Sequence, residues 1–240
     1  MLSKEERERY QRQIILEKFG EEAQEKLKQA KVALFGLGGL GGTASIYLTV
    51  AGVGRLSLFD PEKVEVSNLN RQILYGSSEI GKRKVQQAKK KLSTLNPFVQ
   101  IDVFEGKLEN LVEAWQDADL LIDCLDNLES RLFLNQKAVE LERPLISAAV
   151  EGWDGYLYTY LPNQTACLNC LFREKSSKKG VFPVIGVTPG LLGLLEATEA
   201  IKLIIGEDAS TVGKILLANL KNLTFNLVTV KKNSRCEVCR

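Results

Sequence analysis

The segment from Lys31 to Asp60 narrows the possible folds more than any other part of the chain. An apolar run, Val32–Phe35, meets a glycine-rich turn containing Gly36, Gly38, Gly39 and Gly41. A helical pattern over Gly39–Ala51 follows, and a second apolar run, Leu56–Phe59, ends on Asp60. Strand, glycine turn, helix and strand in that order make a nucleotide-binding βαβ unit. Glycines let backbone N–H groups approach a phosphate, and the helix N-terminus adds partial positive charge there. Asp60, at a strand end, suits a ribose hydroxyl. NAD, FAD and ATP all satisfy this much. Asn68, Arg71 and Gln72 begin to separate them.

The same alternation continues downstream. Helices are predicted over Lys82–Leu95, Leu108–Trp115 and Leu128–Leu141, and strands over Val99–Phe104, Leu120–Cys124 and Pro144–Ala149. Asp60–Ser78 has neither period and reads as a functional loop. Two short helices with a break near Gly20 are expected between Lys4 and Gln29. The pattern predicts a Rossmann-like α/β fold, with a mostly parallel sheet and helices on both faces. After Glu151 it changes. Gly155–Leu161 alternates with aromatic residues and predicts an antiparallel strand, as do Lys214–Asn219 and Leu223–Val230. Thr188–Pro189 reads as the N-cap and first residue of a long helix closed by Gly206. Phe172–Phe182 is polar, lysine-rich and aperiodic, as in a mobile loop. The chain is read as one domain, with a nucleotide-binding half over 1–150 and a second half over 151–240.

Composition removes several chemistries. The chain has no histidine, which excludes Ser–His–Asp and Cys–His catalysis and histidine metal ligands. Its formal net charge of +2 argues for no particular polyanion. The charged start carries no signal or anchor pattern, and no apolar run reaches membrane-spanning length, so a cytoplasmic protein without a membrane partner is expected.

Four of the five cysteines form two CxxC pairs, Cys167/Cys170 and Cys236/Cys239. Four thiolates so spaced suit tetrahedral zinc with no open position, hence a structural metal. Redox-active dithiols are the competing reading. Cys124 sits among apolar residues and reads as a small buried hydrophobe rather than a nucleophile. Asp123 and Asp126 follow a parallel strand, where a carboxylate can hold magnesium on a nucleotide or, more plainly, cap the next helix. The basic helix carrying Lys82, Arg83, Lys84, Lys89, Lys90 and Lys91 reads mainly as a solvated face. It lacks the interleaved aromatics of a nucleic-acid surface.

Taken together, the chain resembles the MoeB/ThiF/HesA family of the ubiquitin-activating-enzyme superfamily. The likeness runs nearly end to end: RYxRQ over Arg9–Gln13, the glycine turn, Asp60, SNLxRQ over Ser67–Gln72, Lys84, DCxDN over Asp123–Asn127, both CxxC pairs, and EAIK over Glu199–Lys202. Members adenylate the C-terminal Gly–Gly carboxylate of a ubiquitin-like protein, using ATP and magnesium, and are typically homodimers. The resemblance implies that Gly36, Gly38, Gly39 and Gly41 line the phosphates and that Asp60 holds the ribose. Ser67 and Asn127 would complete the nucleotide site. Asn68, Arg71 and Lys84 would grip the triphosphate, Asp126 would position magnesium, and Arg12 would reach ATP from the neighbouring subunit. Gln72 would support the loop.

A carboxylate nucleophile needs no general base, because it is ionised at neutral pH. That suits a chain without histidine. One departure from many relatives is the absence of cysteine between Leu171 and Arg235, so thioester or persulfide chemistry on such a thiol is not expected. No rhodanese-like domain is read either, and sulfur is expected from a separate sulfurtransferase. Molybdopterin or tungstopterin, thiamine and tRNA thiolation are all open destinations. Competing readings are a dehydratase acting on threonylcarbamoyl-adenosine in tRNA, an NAD-dependent oxidoreductase, and a non-catalytic scaffold.

Overall fold

Eight strands form one sheet in a computed structural model that describes residues 1–172 and 182–240. The strands are β1 (Lys31–Phe35), β2 (Arg55–Phe59), β3 (Gln100–Phe104), β4 (Leu120–Asp123), β5 (Leu145–Glu151), β6 (Asp154–Tyr160), β7 (Lys214–Asn219) and β8 (Thr224–Thr229). Their order across the sheet is β3-β2-β1-β4-β5-β6-β7-β8. The first five in that order run parallel, and β6, β7 and β8 continue antiparallel. The mixed, mostly parallel sheet expected from the alternation is therefore the observed one.

The order reverses at β1. Its chain crosses to β2 on one side, while β4 pairs on the other, so the carboxyl ends of β1 and β4 flank a topological switch point. Ligands of open α/β sheets bind at such points. The helices are α1 (Lys4–Arg9), α2 (Gln11–Ile14), α3 (Gly20–Gln29), α4 (Gly39–Ala51), α5 (Lys84–Leu95), α6 (Leu128–Glu140), α7 (Leu168–Leu171) and α8 (Val187–Ile205). Two apolar cores lie on opposite faces. One joins Leu34, Leu58 and Ile122 to Leu48 and Leu192, and the other joins Phe35, Leu121 and Tyr158 to Trp115 and Leu134. Alternation along each strand sends successive residues to different cores.

Several boundaries differ from the sequence expectation. Lys4–Gln29 holds three helices rather than two, interrupted at Tyr10 and again ahead of Gly20, whose φ of +65° opens α3. Leu108–Trp115 forms two 3-10 turns, Leu108–Asn110 and Val112–Ala114, instead of a helix. The stretch inserts Leu108 and Trp115 into the core, and those two anchors are too few for an amphipathic face. Helix α5 starts at Lys84, after Lys82 and Arg83 have paired back along the preceding loop. Thr188 is not an N-cap: Gly186 occupies that position, and the Thr188 hydroxyl donates to the Gly152 carbonyl at 3.0 Å. Most of the expected mobile loop, 173–181, lies outside the described residues.

Candidate active site

The glycine turn forms because β1 must end against β4 and start α4 within a few residues. Gly36 has φ +93°, and a Cβ there would lie 2.6 Å from the Cys124 carbonyl oxygen. A Cβ at Gly41 would lie 1.9 Å from the Gly36 carbonyl oxygen. Only glycine satisfies either position. Gly38 then serves as N-cap of α4 without any side chain. The free N–H groups of that helix end face the switch point.

Asp60 fixes this turn. Its Oδ2 accepts from the Leu37 N–H at 2.7 Å and its Oδ1 from the Glu62 N–H at 2.8 Å. Tyr75 Oη donates to the Leu37 carbonyl at 3.1 Å, so Leu37 is held on both sides. Asp60 is buried, which raises its pKa, while Lys84 and the two N–H groups pull the other way. Each oxygen keeps a lone pair for another donor.

The loop after Asp60 straps itself across the turn. Asn68 is buried and accepts from the Glu65 N–H at 3.0 Å, closing a capping box. Arg71 Nη1 donates to the Ser67 carbonyl at 2.8 Å and to Asn70 Oδ1 at 3.1 Å. A Cβ on Gly39 would stand 3.3 Å from the Arg71 carbonyl oxygen, and one on Gly186 would stand 3.2 Å from Arg71 Cα. Arg71 is thus clamped between the start of α4 and the start of α8. Gln72 is buried against Gly38, and its Oε1 has no hydrogen-bond partner among the described residues.

Lys84 lies at the head of α5, with a side chain 2 % exposed, and its Nζ meets Glu62 Oε2 at 2.5 Å. On the other side of β1, Asp126 and Asn127 follow β4. Asn127, not Asp126, caps α6, accepting from the Ser130 N–H at 2.9 Å. Asp126 is exposed and, among the described residues, keeps only a 3.3 Å contact from Asn127 Nδ2. The capping alternative for Asp126 therefore falls away. Asp123 is fully buried and bound by Arg131, which makes it unavailable to a metal on a nucleotide.

Arg12 is elsewhere. Gln13, its neighbour on α2, donates to the Ala51 carbonyl at 3.1 Å, at the far end of α4 from the glycine turn. A helix of 13 residues is about 20 Å long. Arg12 is exposed, with no ionic or hydrogen-bond partner among the described residues. Within one chain, the other proposed residues gather around the turn and Arg12 does not.

The four CxxC sulfurs lie within 4.8 Å of one another, all buried. Cys167 and Cys236 are 3.7 Å apart, Cys170 and Cys239 3.5 Å. Zinc–sulfur bonds of about 2.3 Å in a tetrahedron place sulfurs ~3.8 Å apart, so the donor set fits zinc. All five cysteines are free, which leaves no disulfide to compete. Cys124 is buried and donates to Glu196 Oε2 at 3.2 Å. Burial raises its pKa, as befits a structural thiol.

The ThiF family model matches residues 10–238. The chain belongs to the ThiF family. It is 42% identical over 99% of its length to the vegetative HesA protein of Trichormus variabilis, covering 91% of that protein. It is 39% identical over 99% of its length to the sulfur carrier protein adenylyltransferase of Thermus thermophilus, covering 92%. Against the ThiS adenylyltransferase of Escherichia coli, identity is 37%, over 96% of this chain and 94% of the relative. In architecture, this ThiF-family chain superposes on E. coli MccB, crystallised with MccA-N7isoASN, at a TM-score of 0.87. Sequence identity there is 22%, and the match covers 97% of this chain and 75% of MccB.

Sequence reading missed Arg131, Glu196 and Tyr75. A signal existed for the first two. Arg131 is in helical phase with buried Leu134, Asn135 and Ala138, and Glu196 with Leu192, Gly193, Glu199 and Ala200. Charged residues on a buried stripe need partners. Tyr75 lies within the Asp60–Ser78 loop, with no period to mark it.

Proposed function

We propose that this ThiF-family adenylyltransferase activates the C-terminal carboxylate of a ubiquitin-like sulfur-carrier protein ending in Gly–Gly. ATP would be attacked at its α-phosphate and pyrophosphate released, leaving an acyl-adenylate. The observation that carries this reading is the placement of Arg71, Lys84 and Asp126 around one glycine turn, in a chain that lacks any histidine base. The names of its relatives in Thermus thermophilus and E. coli support the substrate class.

The barrier in such a reaction is electrostatic, since one anion must approach another. The turn's N–H groups and the end of α4 supply a fixed dipole for phosphate. Asp60, already aligned by Leu37 and Glu62, would accept from the ribose hydroxyls. Arg71, with its backbone fixed, would offer its remaining N–H groups to the triphosphate, beside Ser67 and Asn68. Lys84 would exchange Glu62 for phosphate oxygens, moving one buried cation from a single to a multiple negative charge. Asp126, exposed and free of a cap, suits magnesium, which would screen the phosphates. Asn127 would keep Asp126 in register by capping α6.

Arg12 would act in the site of a second copy, which makes the homodimer the working unit. Its exposure and its distance from its own glycine turn support that role. The half from 151 to 240 would receive the carrier's folded body, and every residue of β8 is exposed along its length. Zinc would be structural, tying the tail to α7. Sulfur would come from a separate sulfurtransferase.

Isotopic ATP–pyrophosphate exchange with candidate carriers, intact or lacking the last glycine, tests the proposal. Exchange is expected only with an intact carrier. Exchange that ignores the carrier, or a tRNA-dependent ATP turnover in its place, would overturn the reading.

A further inference from the structure

Between β4 and α6 the chain carries Asp126 on a short connection, and one buried cation holds that connection from beneath. We infer that Arg131 is a positioning residue that sets the direction of Asp126. The inference rests on the reading of Asp126 as the magnesium-holding residue. Arg131 lies on α6 and is 4 % exposed. Its Nη1 donates to Asp123 Oδ2 at 2.5 Å, to Ser147 Oγ at 2.7 Å and to the Ala148 carbonyl at 3.0 Å. Its Nη2 donates to the Leu125 carbonyl.

Leu125 is the residue immediately before Asp126. Asp123 Oδ1 accepts from the Leu125 N–H at 3.1 Å. Both backbone polar groups of Leu125 are therefore bound by one buried ion pair, the N–H by its anion and the carbonyl by its cation. Ser147 on β5 donates to Asp123 Oδ2 at 2.7 Å and fixes the carboxylate in turn. On the far side, Asn127 is anchored as the cap of α6. Asp126 is thus an exposed side chain between two fixed neighbours, touched only by Asn127 Nδ2 at 3.3 Å among the described residues.

Fold stability alone does not call for this arrangement. A buried ion pair is commonly no more stabilising than an apolar pair of the same size. Here its hydrogen bonds converge on a loop peptide, beside Gly36 of the phosphate turn. A Cβ on Gly36 would lie 3.5 Å from the Leu125 nitrogen. Groups behind a metal ligand orient it and typically change metal affinity by about 10–100-fold when lost.

The test measures ATP affinity by calorimetry with and without Mg2+ in wild type, Asp126→Ala, Arg131→Lys and Ser147→Ala, alongside hydrogen exchange at the Leu125 amide. Asp126→Ala and Arg131→Lys are expected to lose roughly ten-fold or more of the magnesium-dependent gain, and Arg131→Lys to leave metal-free ATP affinity unchanged. Ser147→Ala should lose about three-fold, the effect of one hydrogen bond. The Leu125 amide should exchange faster in Arg131→Lys and Ser147→Ala, but not in Asp126→Ala. If Arg131→Lys and Ser147→Ala are folded and keep the full gain while Asp126→Ala has lost it, the inference is overturned and the reading of Asp126 stands. A full gain in Asp126→Ala removes both. Should Arg131→Lys fail to fold, Ser147→Ala decides alone.

Discussion

Two regions of the sheet, the switch point between β1 and β4 and the β8 edge, are built differently. At the switch point, β1 and β4 are covered on both faces, and all four residues of β4 are buried. At the β8 edge all six strand residues are exposed, among them the apolar Phe225, Leu227 and Val228. The first region is held by backbone contacts too close for any side chain. The second pairs with β7 alone and leads into the tail that brings Cys236 and Cys239 to Cys167 and Cys170. Small charged ligands need a site whose donors do not move, whereas a protein partner needs exposed area. The proposed division of labour assigns the nucleotide to the first region and the carrier to the second.

Substitutions at the switch point should have the largest effects. Gly41→Ala places a methyl group against the Gly36 carbonyl and should abolish nucleotide binding, measured by calorimetry; ordinary ATP affinity would break the close-packing account. Arg71→Ala and Asp126→Ala should each lower carrier-dependent pyrophosphate exchange by about 10²–10³-fold with the fold intact by circular dichroism. Near-wild-type exchange in both would mean that the charges around the turn serve another purpose.

Changes at the second region should act on stability and partner affinity. Cys239→Ser, or treatment with a strong chelator, should release zinc, measured by metal analysis, and lower Tm while ATP affinity persists. A loss of ATP binding equal to the loss of stability would merge the two regions into one unit. Leu227→Lys should raise the KM for the carrier by a few-fold, leaving ATP affinity and Tm unchanged.

The smallest effect concerns Glu196, which lies on α8 between the two regions. It is fully buried, and burial raises its pKa well above the carboxylate range, opposed by Cys124. Its Oε1 has no hydrogen-bond partner among the described residues. A neutral folded form and an ionised unfolded form mean that its stability contribution is complete below the unfolded pKa of about 4.3 and shrinks as pH rises. Glu196→Gln should therefore have a Tm close to wild type at acid pH and gain on wild type as pH increases. A pH-independent difference would contradict the neutral assignment.

Periodicity revealed the sheet, because parallel strands read as apolar runs and the helices between them carry a 3.6-residue period. It failed over Leu108–Trp115, where two anchors cannot define a face, and at Thr188, whose hydroxyl bonds Gly152 in the connection between β5 and β6. At the site, motif residues were legible because their spacing is local. The ion pair of Asp123 and Arg131 was not, since its meaning depends on Ser147 and Leu125, which only the folded sheet brings to it. Arg12 was legible as a motif, yet its distance from the turn appears only once α4 is in place.

A crystal structure with ATP and magnesium tests the central claim most directly. The account predicts polyphosphate on the glycine turn, with Lys84 released from Glu62 and the side chains of Arg71 and Asp126 directed to phosphate and metal. A nucleotide bound away from the turn, or one bound there with all three side chains turned aside, would contradict it.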